Sequence, residues 1–281
     1  MKEYIKNLVW KILTLSLKSV NQNRNEKELK NKLIKIVPDL TNQYSGFKID
    51  MNNKYQVNKI YNLHTFQINL VLKSLKYLNT SKLLNIIDIG DSSGTHILYL
   101  QNLFNDNAIK INPISVNLDQ HAVERIQSKG LKAIHCRAEE LHLKENISAD
   151  LFLSFETIEH FFDPISFLHN MATKGSAEYF IITVPYVEYS RVGLHHIRNP
   201  KYKDKGLTAE STHVFELSPE DWDLIFKFSG WEIVYSDKYT QYPKTNPLYF
   251  TKYIWKKIDF NGFYGVILKR NLDIANKYGD W

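Results

Sequence analysis

A single cysteine, Cys136, stands in 281 residues. One thiol cannot close a disulfide within the chain, and a chain of this length without a disulfide framework fits a reducing, cytoplasmic compartment. Long uncharged apolar runs are missing as well. The first twenty residues carry an apolar stretch from Leu8 to Leu17, but Lys11 interrupts it and no small-residue cleavage site follows. Neither a secretion signal nor a membrane span is expected there. Repeats and low-complexity tracts are absent. Strong charge imbalance is absent too: 36 basic residues stand against 30 acidic ones, for a net charge of +6, and the lysines are spread along the chain. That pattern fits a solvated surface and gives no reason to expect a nucleic-acid partner.

What is present is enough apolar material, 43% of the residues, to bury a large core. Residues 1 to about 40 read as two Lys-rich helices ending before Pro38, which disfavours helical geometry at Val37. Ile5, Leu8, Val9 and Ile12 recur at helical spacing and define the face on which the first helix should dock. Peripheral membrane contact through residues 1–20 is the alternative use of that basic helix. A polar loop follows, and then a long helix from about Val57 to Leu78 with its stripe at Ile60, Leu63, His64, Gln67, Ile68 and Val71. After Lys82 the pattern changes to short β-rich runs alternating with helices, which predicts a sheet of β-α-β units. The runs are LLNIIDIG, PISVNL, KAIHC, DLFLSF, YFIITV, WEIVYS and FYGVILK. The expected architecture is α/β: a Rossmann-like, seven-stranded mixed sheet, mostly parallel with the last strand antiparallel, flanked by helices. Residues 1–56 form a helical extension and 57–281 the main domain, with insertions at 186–212 and 239–261.

The strand ending in Asp88 runs into Gly90, Asp91, Ser92, Ser93 and Gly94 and then at once into an apolar helix. Glycines at a strand-to-helix turn let the backbone bend tightly and let an anionic group approach the helix N-terminus. A dinucleotide site needs G-x-G-x-x-G, and Ser92 stands where the middle glycine would admit a pyrophosphate. A nicotinamide dinucleotide is therefore disfavoured.

The segment DIGDSSG resembles the first motif, D-x-G-x-G-x-G, of the class I S-adenosylmethionine-dependent methyltransferases, small-molecule type, and later segments follow the same family in order. The resemblance covers about residues 60–270. It implies S-adenosyl-L-methionine as cofactor and a cofactor site of Gln67, Asp88, Gly90, Asp91, Ser92, Gly94, Asn117, Leu118, Asp119, Ala138, Glu139, Phe155 and Glu156. Asn117 falls where the family carries an acidic ribose ligand. Asp119 either supplies that carboxylate or caps the next helix. Ala138 and Glu139 match the element that brackets the adenine. The most specific match is the run from Asp150 to Pro164, DLFLSFETIEHFFDP, which is similar to the segment beside the transferred methyl group.

His160, His195 and His213 are the candidate catalytic bases, and Tyr186, His196 and Arg198 the candidate acceptor contacts. No ligand pair shows a recognised metal spacing, so no metal is expected; the set weighed for one is His160 and His213 joining either His195 or His196, with Glu159. The reading is O-methylation of a small-molecule or sugar-containing, glycan-precursor acceptor, an anionic one bearing phosphate or carboxylate being the kind that His195, His196 and Arg198 suit. Its alternatives are N-methylation of a small amine, or a non-catalytic binding or regulatory role on the same scaffold. A nucleic-acid methyltransferase would carry Asn or Asp, two prolines and an aromatic after the fourth strand, where Ser154-Phe155-Glu156-Thr157 stands instead. Oligomeric state has no signal in the sequence.

Overall fold

The computed structural model describes residues 2–20, 23–44, 46, 48–144, 148–193, 212–244, 247–258 and 262–278. In chain order the helices are α1 (Lys2–Lys18), α2 (Arg24–Ile36), α3 (Lys54–Ser74), α4 (Thr95–Asp106), α5 (Gln120–Ser128), α6 (Pro164–Thr173), α7 (Pro219–Phe228), α8 (Lys252–Ile258) and α9 (Leu272–Ala275). The strands are β1 (Leu84–Ile89), β2 (Ile111–Asn117), β3 (Ala133–His135), β4 (Leu151–Phe155), β5 (Tyr179–Tyr186), β6 (Arg191–Val192), β7 (Phe215–Glu216), β8 (Trp231–Thr240) and β9 (Gly262–Arg270).

Seven strands make one sheet in the order β3-β2-β1-β4-β5-β9-β8. The first five are mutually parallel, β9 is antiparallel to β5, and β8 is antiparallel to β9. The expected Rossmann-like sheet with an antiparallel last strand is therefore present. Because successive side chains of a strand face opposite ways, each central strand feeds two cores. On one face Leu84, Ile86, Leu151, Leu153 and Ile181 pack under Leu29 and Leu33 of α2, Ile68 and Val71 of α3, and Tyr99 and Phe104 of α4. On the other, Ile87, Ile89, Phe152, Phe180 and Ile182 pack under Phe167 and Met171 of α6 and Trp222 and Phe226 of α7.

The local signals act as read. Asp119 caps α5, accepting the His121 N–H, and Asp163 caps α6 ahead of Pro164. Gly130 and Gly230 sit at positive φ just past α5 and α7.

Two expectations need correction. The buried side of α1 is Leu13, Ser16 and Leu17, which meet Trp255 of α8, whereas Ile5 and Leu8 are exposed. Helical spacing alone fits either stripe, and the large indole of Trp255 selects the second. Trp255 is fully buried in that contact, while Tyr249, Phe250 and Tyr253 before it are exposed. Finally, β8 continues to Thr240, beyond the run WEIVYS, because Lys238, Tyr239 and Thr240 keep their register with Tyr264, Phe263 and Gly262 of β9. The insertion between the last two strands thus begins at 241. No helix among the described residues is long and apolar enough to cross a membrane.

Candidate active site

The C-terminal ends of β1, β2, β4 and β5 lie along one edge of the sheet, and the strand order reverses between β1 and β4. Crevices at such switch points are where open α/β sheets take ligands. Gly90 leaves β1 at φ 93° with its N–H on Val116 O of β2, and Gly94 opens α4 at φ 74°. Between them Asp91 organises the turn: Oδ1 accepts the N–H groups of Ser93 and Gly94, and Oδ2 accepts Ser115 Oγ–H.

A residue outside every motif reaches this turn from the α2–α3 connection. Gln43 accepts Ser92 Oγ–H on its backbone oxygen at 2.5 Å, and Ser93 Oγ–H and Thr95 Oγ1–H on Oε1 at 3.1 and 2.6 Å. Its polar neighbours read only as loop. The contact is tertiary, and no local pattern announces it.

Beneath the turn runs a buried polar chain. Gln67 Nε2 donates to Thr183 Oγ1, Gln67 Oε1 accepts from His96 Nε2, and His96 Nδ1 lies 3.3 Å from Asp88 Oδ2. Burial pushes the Asp88 carboxyl up to about 6. Burial opposes the charged form of His96, but the Asp88 carboxylate outweighs it and holds the imidazole above its ordinary value. Gln67 and His64 are almost fully buried, and His64 Nδ1 pairs with Tyr99 Oη at 3.2 Å, so α3 is a layer of the fold.

Burial, with help from His96, holds His64 well below its ordinary pKa. Its stabilising contribution is therefore complete above the unfolded value of about 6.5. It is lost as pH falls toward the folded pKa, because the unfolded chain takes a proton that the native one refuses. Stability from this group should fall by about 1.4 kcal/mol per pH unit in that window. Urea melts between pH 7 and 5 should show a slope that His64→Gln reduces; identical pH dependence in the two proteins would contradict the assignment.

At the end of β2, Asn117 Nδ2 donates to Asp91 O and Asn117 Oδ1 accepts the Asp119 N–H at 2.8 Å. The side chain braces two turns. Leu118 is exposed, and its carbonyl accepts from His135 Nε2. Ala138 is buried in the core, and Glu139 pairs with Arg137 at 3.1 Å. Phe155 is buried with its ring edge-on to His96 at 4.9 Å. Tyr186, at the end of β5, is partly buried against the main core, with Lys238 over its ring. His195, His196 and Arg198 lie outside the described residues.

The segment after β4 is the most unusual backbone of the site. Glu156 adopts φ 52°, a left-handed conformation uncommon for a non-glycine residue, and such outliers concentrate at functional sites. Burial and the neighbouring Glu159 raise its carboxyl well above the usual range. A single 3-10 turn, Ile158–His160, then presents Glu159 and His160. The β6–β7 hairpin, invisible in the sequence because each strand has two residues, brings the distal TH-V-F-E segment to this turn. Val214 N–H donates to Glu159 O, and His160 Nδ1 pairs with Thr212 O, both at 2.8 Å. His160 and His213 meet edge to face with ring centroids 4.7 Å apart. Behind them Glu216, fully buried, pairs with Arg191, and its Oε1 lies 3.9 Å from His213 Nδ1. Glu216 was not anticipated; its spacing from His213, three residues on, was the available signal.

This sheet order, with a glycine turn after β1 and a charged turn after β4, is that of a Rossmann-like fold. A family model described as "Methyltransferase domain" matches residues 87–174. A ribosomal RNA small subunit methyltransferase G from Mesoplasma florum is 29% identical over 123 residues, 42% of this chain, and the match spans 52% of that relative's length. Among solved structures, the O-methyltransferase of a trans-AT polyketide synthase multienzyme of Brevibacillus brevis, in complex with S-adenosyl-L-homocysteine, aligns with a TM-score of 0.53 at 12% identity. It covers 82% of this chain and 81% of that one. The putative methyltransferase complex with the Trm112 methyltransferase activator from Haloferax volcanii aligns with a TM-score of 0.51 at 14% identity, covering 73% and 90%. At those identities the likeness is one of fold. The family match, confined to residues 87–174, adds a likeness to methyltransferases over that stretch.

Proposed function

We propose that the protein transfers a methyl group from S-adenosyl-L-methionine to a hydroxyl of a small-molecule or sugar-containing acceptor, with residues 57–281 as the catalytic domain and 1–56 as its helical extension. The observation that carries this reading is the meeting of Glu156, Glu159, His160 and His213 at the end of β4, beside the glycine turn after β1. The donor fits the residues present: the turn from Gly90 to Gly94, with positive φ at both glycines, leads into the N-terminus of α4, which has no side-chain cap and suits the carboxylate of the donor's amino-acid part. When bound, the donor supplies an electrophilic methyl on a sulfonium.

The chain's own work is to hold the acceptor oxygen in line with that methyl and to keep water out. Asp88, the 90–94 turn and Asn117 hold the donor. His160 and His213 stand where an acceptor hydroxyl must be activated, and Tyr186 borders the same edge. The oxygen forms its bond to carbon as the carbon–sulfur bond breaks, the electron pair going to sulfur and the hydroxyl proton to a basic group of the site.

Calorimetric titration with S-adenosyl-L-homocysteine tests the reading; no detectable heat or thermal shift at millimolar ligand would overturn it. The same titration separates the two roles weighed for Asp119. As a cap alone, Asp119→Ala should cost about 1 kcal/mol of stability and leave affinity within a few fold. Loss of affinity beyond tenfold would make Asp119 a ribose ligand.

A nucleic-acid acceptor is the second reading, favoured by the 123-residue match to a protein named for ribosomal RNA. Tight RNA binding that weakens steeply with salt would support it over a small molecule.

A further inference from the structure

We propose that Glu159, His160 and His213 form a binding site for one divalent transition-metal cation, which activates the acceptor hydroxyl in the reaction proposed above. One ligand atom from each of the three residues lies within 4.8 Å of the other two. His160 Nε2 and Glu159 Oε1 are 3.8 Å apart, too far for a hydrogen bond. Two donors each about 2.1 Å from a tetrahedral ion stand about 3.4 Å apart, so a small closure would seat one.

Two further features point to a ligand. Glu159 is fully buried, yet neither of its carboxylate oxygens has a hydrogen-bond partner among the described residues. A buried carboxylate left in that state is costly in either protonation state, and a cation relieves it. Next, Thr212 O can only accept, so His160 carries its proton on Nδ1 and turns the Nε2 lone pair toward Glu159. Metal-binding histidines are oriented in this way, their second nitrogen donating to a carbonyl or carboxylate. Glu216, behind His213 and paired with Arg191, places a further carboxylate beside the cluster.

A second cluster, Asp88, Asp91 and His96, also brings its ligand atoms together. It is less suited, because Asp91 already takes three hydrogen bonds and all three residues lie buried beneath the glycine turn. The 159–160–213 cluster has two partly exposed imidazoles and so leaves coordination positions toward the acceptor. Two imidazoles and a carboxylate suit manganese, cobalt or zinc better than magnesium or calcium, which prefer oxygen donors. Within the proposed function, which this inference assumes, the histidines then act through the ion, which would lower the pKa of the bound hydroxyl so that its proton leaves to water as the acceptor binds.

The test uses the full chain, stripped with a chelator, titrated calorimetrically with manganese chloride and separately with zinc chloride, each with S-adenosyl-L-homocysteine binding measured on the same preparation. One ion per chain is expected, with a saturable rise in the wild-type Tm. His160→Ala and His213→Ala should each weaken metal binding at least tenfold while retaining S-adenosyl-L-homocysteine, and His121→Ala, on the exposed face of α5, should not weaken it. Absence of saturable metal binding in a chain that binds S-adenosyl-L-homocysteine overturns the metal site and leaves the methyltransferase reading intact. Binding unchanged in both histidine variants also overturns it. Metal binding without S-adenosyl-L-homocysteine binding overturns the role in methyl transfer.

Discussion

Gly90→Ala is expected to destabilise the protein by about 3 kcal/mol, from a left-handed backbone penalty of roughly 1–2 kcal/mol and overpacking of about 1–3 kcal/mol. It should also remove measurable S-adenosyl-L-homocysteine binding. Gly90 holds φ 93° at the exit of β1, and a Cβ there would fall 2.2 Å from Thr157 Oγ1 and 2.7 Å from its Cγ2. Neither neighbour can yield freely. Thr157 is tied to Phe155 O and Ile89 O through Oγ1 and leads directly into the turn that presents Glu159 and His160. Relief of the clash would therefore move the glycine turn, the charged turn, or both. Thr157→Ala in the Gly90→Ala background should recover the overpacking part, since it removes the two nearest atoms, but not the backbone part. A double-mutant cycle in urea, with calorimetry on each variant, reads both. If Gly90→Ala melts with the wild type and binds the ligand equally well, the close approach of the two turns is not as described.

That close approach marks the boundary of what the sequence could show. Strand and helix positions were legible because each carries its own periodicity, cap or glycine stop: Asp119 and Ser218 open helices, and Gly130 and Gly230 close them. The order of the sheet followed from β-α-β alternation and the resemblance of DIGDSSG and the EHFFDP run. Contacts between elements were not legible. Gln43 sits in a polar stretch that fits any loop, yet it is buried on the glycine turn. Asn117 was read as a ligand because of its place at a strand end, but its amide is engaged with Asp91 and Asp119, a use that only the folded turn reveals. The same holds for His160 and His213, 53 positions apart in sequence and 4.7 Å apart between ring centroids. What joins them is the β6–β7 hairpin, two residues per strand, too short to leave a period-2 pattern.

The hairpin owes its position to one buried charge, which makes Arg191 the next residue to change. Glu216 is fully buried, its Oε2 pairs with Arg191 Nε, and its Oε1 has no hydrogen-bond partner. Removing one member of a buried ion pair costs about 3–5 kcal/mol because the other charge is stranded. Arg191 is itself about one-third exposed, so solvent screening brings the expected loss for Arg191→Met down to about 2–3 kcal/mol. At roughly 2–4 °C per kcal/mol for a chain near this size, Tm should fall by about 4–12 °C. The loss should reach the site as well, because β7 carries His213 on one side and docks to Glu159 through the Val214 N–H on the other. Replacing both partners, Arg191→Met with Glu216→Leu, leaves no stranded charge and should restore most of the stability, while methyl transfer stays impaired if Glu216 orients His213. Thermal melts and activity of the single and double variants separate these effects. Equal Tm in wild type and Arg191→Met would show that Glu216 does not need its partner, and the hairpin would then require another explanation for its hold on the turn after β4.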